Sequence, residues 1–255
     1  MDPCVRNVHC WWCGTMSVMT SASPEPVRVV VCDLDGVIRH FEEATQSEME
    51  LELGLASGFV LRVAFEKDLL HSAVTGAISD EQWRASTVTK LARAVGQDRA
   101  VRAVQTWSSS PGRIDAQVLD LVRQVRARVP VVLLTNATTR LRVDLAALDV
   151  LSEFDAIVSS AETGFPKPDS GAYAAAEAAA SAALGKSVVG SSILFIDDTA
   201  AYVQAAEDRG WRATRPCRRG TGKTRSPRGR RRGRVRRWAR PRSNAARGPV
   251  GPMTL

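Results

Sequence analysis

The chain has 255 residues, 44% of them hydrophobic, enough for one domain of ordinary size or a core with a smaller insert. No apolar run approaches the length of a membrane-spanning helix, so membrane association by that route is not expected. The formal charge of +8 is local: of 35 Lys and Arg, 16 lie from Arg212 onward with no acid among them, leaving residues 1–211 with 19 basic and 27 acidic side chains, a net −8.

The leader, MDPCVRNVHCWWCGTMSVMTSASPEP, lacks a basic start followed by a clean apolar stretch, so a secretory signal is not expected. Cys4, Cys10, Cys13, Cys32 and Cys217 form no evenly spaced framework, which points to a reducing cytoplasm. His9, Cys10 and Cys13 look like half of a zinc site, but no second pair follows to complete four ligands. Residues 1–25 therefore read as a flexible leader.

Residues 27–33 are a β-branched run, read as a buried strand. It ends in VVVCDLDGV. Asp33 and Asp35 stand two residues apart, so they lean the same way at the strand's C-terminal end. Like charges at that spacing repel. An ordinary Asp-Gly turn and a shared cation both explain the pair, and this stretch does not choose between them.

From residue 42 to 110 the pattern is helical. In SDEQWRASTVTKLARAV, Ser79 is placed to cap a helix with Gln82 as its capping-box partner. Trp83, Val88, Leu91 and Val95 form the apolar stripe. Residues 108–112, SSSPG, read as a linker. Ile114, Val118, Leu121, Val122 and Val125 then repeat at helical period. A second buried strand, PVVLLTN, runs over 130–136, followed by a helix over 139–148. A third strand is expected over 154–159, an Ala-rich helix over 170–184, and a fourth strand over 192–198 ending in Asp197 and Asp198. A helix over 200–209 and the start of a fifth strand over 211–214 close the expected pattern.

Strands alternating with helices imply an α/β fold: a doubly wound, Rossmann-like parallel sheet with helices on both faces. Such sheets bind ligands at the C-terminal ends of their strands. Asp33, Asp35, Thr135, Asn136, Asp197 and Asp198 all fall there. Singly, each has a structural explanation. Thr135 suits a helix cap, Asp197 and Asp198 suit the N-terminus of the next helix, and Lys167 suits a solvated surface. Jointly, those explanations leave the convergence at one sheet edge unaccounted for.

The segments DLDGV (33–37), TN (135–136), Lys167 within GFPKPD, and IDD (196–198) resemble the four signature motifs of the haloacid dehalogenase-like hydrolase superfamily, in order and in placement. The resemblance covers roughly 27–215 and implies a discontinuous core, 26–41 with 111–215, and a small α-helical cap over 42–110. It implies that Asp33 is the nucleophile, attacking phosphorus to form an aspartyl-phosphate. Asp35 is then the general acid and base. Mg²⁺ is the implied cofactor, held by the Asp33 carboxylate, the Asp35 main-chain carbonyl and Asp197, with Asp198 as a ligand or just behind one. Thr135 and the Asn136 amide bind phosphoryl oxygens, and Lys167 neutralises phosphoryl charge and steadies Asp33. Halide release needs no proton for the leaving group, and the dehalogenase branch typically lacks the second aspartate. Asp35 therefore favours phosphate esters of small metabolites. A phosphomutase is the nearest rival.

Substrate contacts from the cap are expected near residues 72–78, around Thr75-Gly76. His71 reads as structural. Arg39 and His40 line the pocket or face solvent, and the sequence does not choose. The segment 216–255 is rich in Arg, Gly and Pro without apolar period and is expected to be disordered. Its charge suits weak, non-specific nucleic-acid binding, and a catalytically inactive chain acting through this tail is the rival from another class. Gly222-Lys223-Thr224 lacks the glycine and the preceding strand of a phosphate-binding loop.

Overall fold

The computed structural model describes residues 25–41 and 43–216. Apart from Glu25 and Pro216, the expected leader and Arg-rich segment lie outside the described residues, as do the half zinc site and Gly222-Lys223-Thr224.

The described residues form seven strands and ten α-helices, with two short 3-10 turns at Leu151–Glu153 and Gly190–Ser192. β1 (Val29–Cys32) is followed by β2 (Arg39–His40). Five helices come next: α1 (Glu43–Glu52), α2 (Phe59–Ala64), α3 (Lys67–Val74), α4 (Asp80–Val95) and α5 (Gln97–Ser108). The chain returns through β3 (Arg113–Ile114), α6 (Ala116–Arg126), β4 (Val131–Thr135) and α7 (Leu141–Ala147). It continues with β5 (Ala156–Ser159), α8 (Ser160–Thr163), α9 (Ser170–Leu184), β6 (Ile193–Ile196), α10 (Ala200–Asp208) and β7 (Arg212–Thr214).

The main sheet is parallel throughout, in the order β5-β4-β1-β6-β7. β1 is central, paired with β4 on one side and β6 on the other, and all four of its residues are buried. That explains its β-branched run: a strand covered on both faces has no polar side to alternate with. Val29 and Val31 face a core layer built with Ala172, Tyr173, Ala176 and Ala180 of α9 and Ala206 of α10. Val30 and Cys32 face the opposite layer, with Leu119 of α6 and Leu141 and Leu145 of α7. Ala172, Ala176 and Ala180 recur every four residues, so one small-residue stripe brings α9 close to the sheet.

Two crossings join the sheet to the α1–α5 layer, and they pair with each other. β2 and β3 form an antiparallel ribbon, Arg39 opposite Ile114 and His40 opposite Arg113. The helical period expected from Ile114 therefore begins only at Ala116, with Asp115 as the cap: its Oδ1 accepts from the Gln117 amide at 3.0 Å and the Val118 amide at 3.2 Å. Two-residue strands carry no period for a sequence pattern to detect.

Within the helical layer, Ser79 caps α4 as expected. Its hydroxyl accepts from the Gln82 amide at 3.3 Å, and the Ser79 amide donates to Gln82 Oε1 at 2.8 Å. Trp83 and Leu91 are buried. Phe65, Trp83 and Trp107 meet edge to face, the closest pair with ring centres 5.0 Å apart. Glu50, almost fully buried, accepts from the Gly58 amide at 2.5 Å and the Val60 amide at 2.8 Å, so its carboxylate covers the start of α2.

The layer is fastened to the sheet beside β4. The Asp80 amide donates to Thr139 Oγ1 at 2.9 Å, and Thr138 Oγ1 donates to Asp80 Oδ1 at 2.8 Å. Arg140 Nη1 donates to the Ser108 carbonyl at 2.6 Å. The Thr75-Gly76 turn, expected to face substrate, abuts α8: a Cβ on Gly76 would lie 2.2 Å from the Ala161 carbonyl oxygen. Among the described residues no helix is long and apolar enough to cross a membrane.

Candidate active site

Three strand ends of the parallel sheet deliver the chemistry. β1 leads into Asp33, whose amide still donates to the Ile196 carbonyl at 2.9 Å, so the loop leaves the sheet only after that residue. β6 leads into Asp197 and Asp198, and β4 ends in Thr135. Ligating atoms of Asp33, Asp197 and Asp198 all lie within 4.8 Å of one another. Asp33 and Asp197 are buried, and so is Thr135.

Lys167 enters this cluster from the loop before α9. Its Nζ is 2.9 Å from Asp33 Oδ1 and 2.6 Å from Asp197 Oδ2, and the side chain is 1% exposed. The Phe195 and Tyr202 rings lie 5.7 Å and 5.2 Å from Nζ, so aromatic faces supply much of its remaining surroundings. A buried ammonium is tolerated only when paired, and here two carboxylates pair it. Burial pushes the Asp33 carboxyl up to about 6, against the opposing pull of the lysine. The two aspartates hold the Lys167 ammonium above its ordinary value although burial acts the other way.

Asn136 positions that lysine. Its Oδ1 accepts from the Lys167 amide at 2.7 Å, and its Nδ2 donates to the Lys167 carbonyl at 2.9 Å. Two bonds from one planar amide fix the peptide on both sides, so the lysine stem leaves in one direction. The expectation placed only the Asn136 main-chain amide in the site. The side-chain clamp spans 31 residues of sequence and has no local signature.

Gly36 has a φ of 82°, in the left-handed region. A Cβ there would sit 2.3 Å from Asp198 Oδ2. The glycine thus serves twice: it turns the chain after Asp35 and leaves room for the Asp198 carboxylate.

Asp35 stands apart from the other acids. Arg39 binds it with two hydrogen bonds, Nε to Oδ1 at 2.6 Å and Nη2 to Oδ2 at 3.0 Å. The Asp35 side chain is 40% exposed, whereas that of Arg39 is 6% exposed. Arg39, one of two residues the sequence left undecided, is buried against Asp35. His40 is half-buried in the ribbon opposite Arg113. His71 is exposed.

The donor set fits Mg²⁺. The ligating atoms are all carboxylate oxygens, as a hard cation requires, with no thiol or imidazole among them. Their separations, all within 4.8 Å, are of the size that one hard cation would span. Three carboxylates face one ammonium, leaving a formal charge of −2 for a divalent ion to balance.

The profile of the haloacid dehalogenase-like hydrolases matches residues 27–210, well over half the chain. The chain belongs to that family. It is a hydrolase by membership, and the profile match spans every residue of the cluster just described. Among solved structures, it is similar to a predicted HAD-like family hydrolase from Porphyromonas gingivalis, with 24% identity over 74% of this chain and 91% of the other, at a TM-score of 0.56. A HAD family enzyme from Bacteroides thetaiotaomicron, in complex with magnesium and inorganic phosphate, is 18% identical over 75% and 94%, with a TM-score of 0.57. The L-2-haloacid dehalogenase from Xanthobacter autotrophicus is 19% identical over 74% and 77%, with a TM-score of 0.52. At these identities the likeness establishes the fold alone. No curated protein sequence matches this hydrolase.

Proposed function

We propose that this hydrolase cleaves phosphate monoesters of small metabolites, with Mg²⁺ as cofactor and Asp33 as nucleophile. The observation that carries the reading is the combination of a −2 carboxylate cluster around Lys167 with a further aspartate, Asp35, two residues after Asp33. Displacement of halide from a haloacid calls for neither a divalent cation nor a proton donor. Loss of an alkoxide from phosphorus calls for both.

Asp33 attacks phosphorus with one carboxylate oxygen, and the ester oxygen leaves with a proton from Asp35. Water then attacks the aspartyl-phosphate and gives its proton to Asp35, releasing inorganic phosphate and restoring both carboxyl groups. Asp33, Asp197, Asp198 and the Asp35 carbonyl would hold Mg²⁺, which when bound would supply charge neutralisation for the phosphoryl oxygens. Lys167 holds Asp33 in line for attack and opposes the charge that builds on the transferring group. Asn136 fixes Lys167, and the Thr135 hydroxyl and Asn136 main-chain amide bind phosphoryl oxygens. The α1–α5 layer acts as a cap that excludes water during the first transfer. A buried, free Cys32 beside the nucleophile is in keeping with a cytoplasmic setting. The residues from 217 onward add weak, salt-sensitive attraction to nucleic acid, secondary to the chemistry.

The test is phosphate release from p-nitrophenyl phosphate by wild type and Asp33→Asn, with Mg²⁺ and with a chelator. Turnover that needs both Asp33 and Mg²⁺ is the expected result. Equal rates in the two proteins, or halide release from a haloacid in place of phosphate release, sink the proposal.

A further inference from the structure

We propose that Arg39 is a positioning residue for Asp35, tying the proton donor to the ribbon that joins sheet and cap. The inference rests on the phosphatase reading above and adds a residue to it.

Arg39 lies in β2, on one of the two crossings into the helical layer. Its guanidinium reaches three places at once. Nε and Nη2 grip both oxygens of Asp35, at 2.6 Å and 3.0 Å. Nη1 donates to the Pro111 carbonyl on the returning crossing at 3.3 Å, and lies 3.5 Å from Asp144 Oδ2 of α7. Asp144 is itself held by Arg140 Nε at 2.8 Å. The aliphatic stem packs under Gly112, where a Cβ would lie 2.9 Å from Arg39 Cγ and Cδ. The Phe41 ring covers the guanidinium at 4.9 Å. So buried a cation is anchored on the returning crossing and on α7 independently of Asp35. The half-exposed aspartate takes its orientation from the arginine, not the reverse.

The two-point grip fixes the plane of the Asp35 carboxylate and with it the direction each oxygen faces. When Asp35 carries the proton, one of its oxygens exchanges an arginine bond for the leaving-group oxygen while the other oxygen stays bound. When the P–O bond breaks, the proton passes to the ester oxygen and the carboxylate recovers both bonds. In the second step the proton from water returns the pair to its starting arrangement. Arg39 itself exchanges no proton, so its role is to keep the donor aimed. A lysine offers no planar fork for both oxygens and restores this only in part.

The experiment compares wild type, Arg39→Gln, Arg39→Lys, Asp35→Asn and the Arg39→Gln/Asp35→Asn double variant. Each is assayed with Mg²⁺ on phenyl phosphate, whose leaving group needs a proton, and on 2,4-dinitrophenyl phosphate, whose leaving group does not. Arg39→Gln is expected to lower kcat/KM, which reports the steps up to loss of the leaving group, at least tenfold more on phenyl phosphate than on the dinitrophenyl ester, with Arg39→Lys intermediate. In the Asp35→Asn background the Arg39→Gln change is expected to alter kcat/KM less than threefold, because its target is gone. The burst of dinitrophenolate in the first turnover, which precedes the step that needs a base, reports that each variant is folded. Equal losses on the two esters, or fully additive losses in the double variant, overturn the positioning role and leave the phosphatase reading intact. A wild type that hydrolyses neither ester overturns both.

Discussion

Replacing Lys167 by Met keeps the length of the stem and removes only the charge. In the wild type that charge lies 2.9 Å from Asp33 and 2.6 Å from Asp197, in a site where the lysine side chain is 1% exposed. Breaking a buried pair by deleting one partner costs about 3–5 kcal/mol, because the remaining carboxylates stay buried without compensation. For a chain of this size about 1 kcal/mol moves the melting temperature by roughly 2–4 °C, so the variant is expected to melt about 6–20 °C lower in metal-free buffer at pH 7.5. The deficit depends on pH with a definite sign. Burial already pushes Asp33 up to about 6 from an unfolded value of 3.8, and losing the lysine pushes it further. A carboxyl raised in the folded state binds its proton more tightly there than in the unfolded chain, so folded stability rises as pH falls through the raised value, until near 3.8. The deficit of Lys167→Met should therefore shrink between pH 7.5 and pH 5. Added Mg²⁺ should narrow it at pH 7.5 by restoring positive charge. Calorimetry with chelator or Mg²⁺ at the two pH values reads all three effects. A loss below about 2 °C, or one that is the same at both pH values, refutes the view that buried like charges dominate this site.

Gly36→Ala puts a methyl group 2.3 Å from Asp198 Oδ2 and strains a backbone at φ 82° by about 1–2 kcal/mol. It should weaken Mg²⁺ activation more than it lowers stability, read as a raised half-saturating Mg²⁺ concentration; an unchanged value would falsify the account of Gly36. Asn136→Ala removes two hydrogen bonds to the Lys167 peptide, worth about 1–3 kcal/mol together, and should lower kcat more than it raises KM because it frees the lysine. A change confined to KM argues against the clamp. Tyr173, whose hydroxyl donates to the Tyr202 carbonyl at 2.9 Å, is held by burial above its ordinary value of 10. Its contribution is complete below pH 10 and declines as pH rises further, since the unfolded chain ionises first. Tyr173→Phe should thus show a shallower loss of urea resistance from pH 9 to pH 11 than wild type, and parallel losses would contradict this.

What could be read without coordinates was local. The β-branched run at 29–32, the capping box of Ser79 and Gln82, and the Ala-rich helix over 170–184 follow from short-range sterics and hydrogen bonding, and each stands where expected. The alternation of strand and helix implied a parallel sheet. That sheet explains why Asp33, Thr135 and Asp197 end on one edge. The contacts that set the site's geometry lie beyond such rules. Asn136 meets Lys167 across 31 positions, Gly36 makes room for Asp198 across the sheet edge, and Arg39 reaches Pro111 through a ribbon of two-residue strands. None of these leaves a period or a spacing in the chain, because each joins segments brought together only when β1 takes its place between β4 and β6. Residue order by itself determined which carboxylates reach the sheet edge, and the motif around Lys167 the expectation that this lysine steadies Asp33; only the folded packing gave that lysine a second carboxylate in Asp197 and tied Asp35 to Arg39, since ion pairing is settled by distance in space.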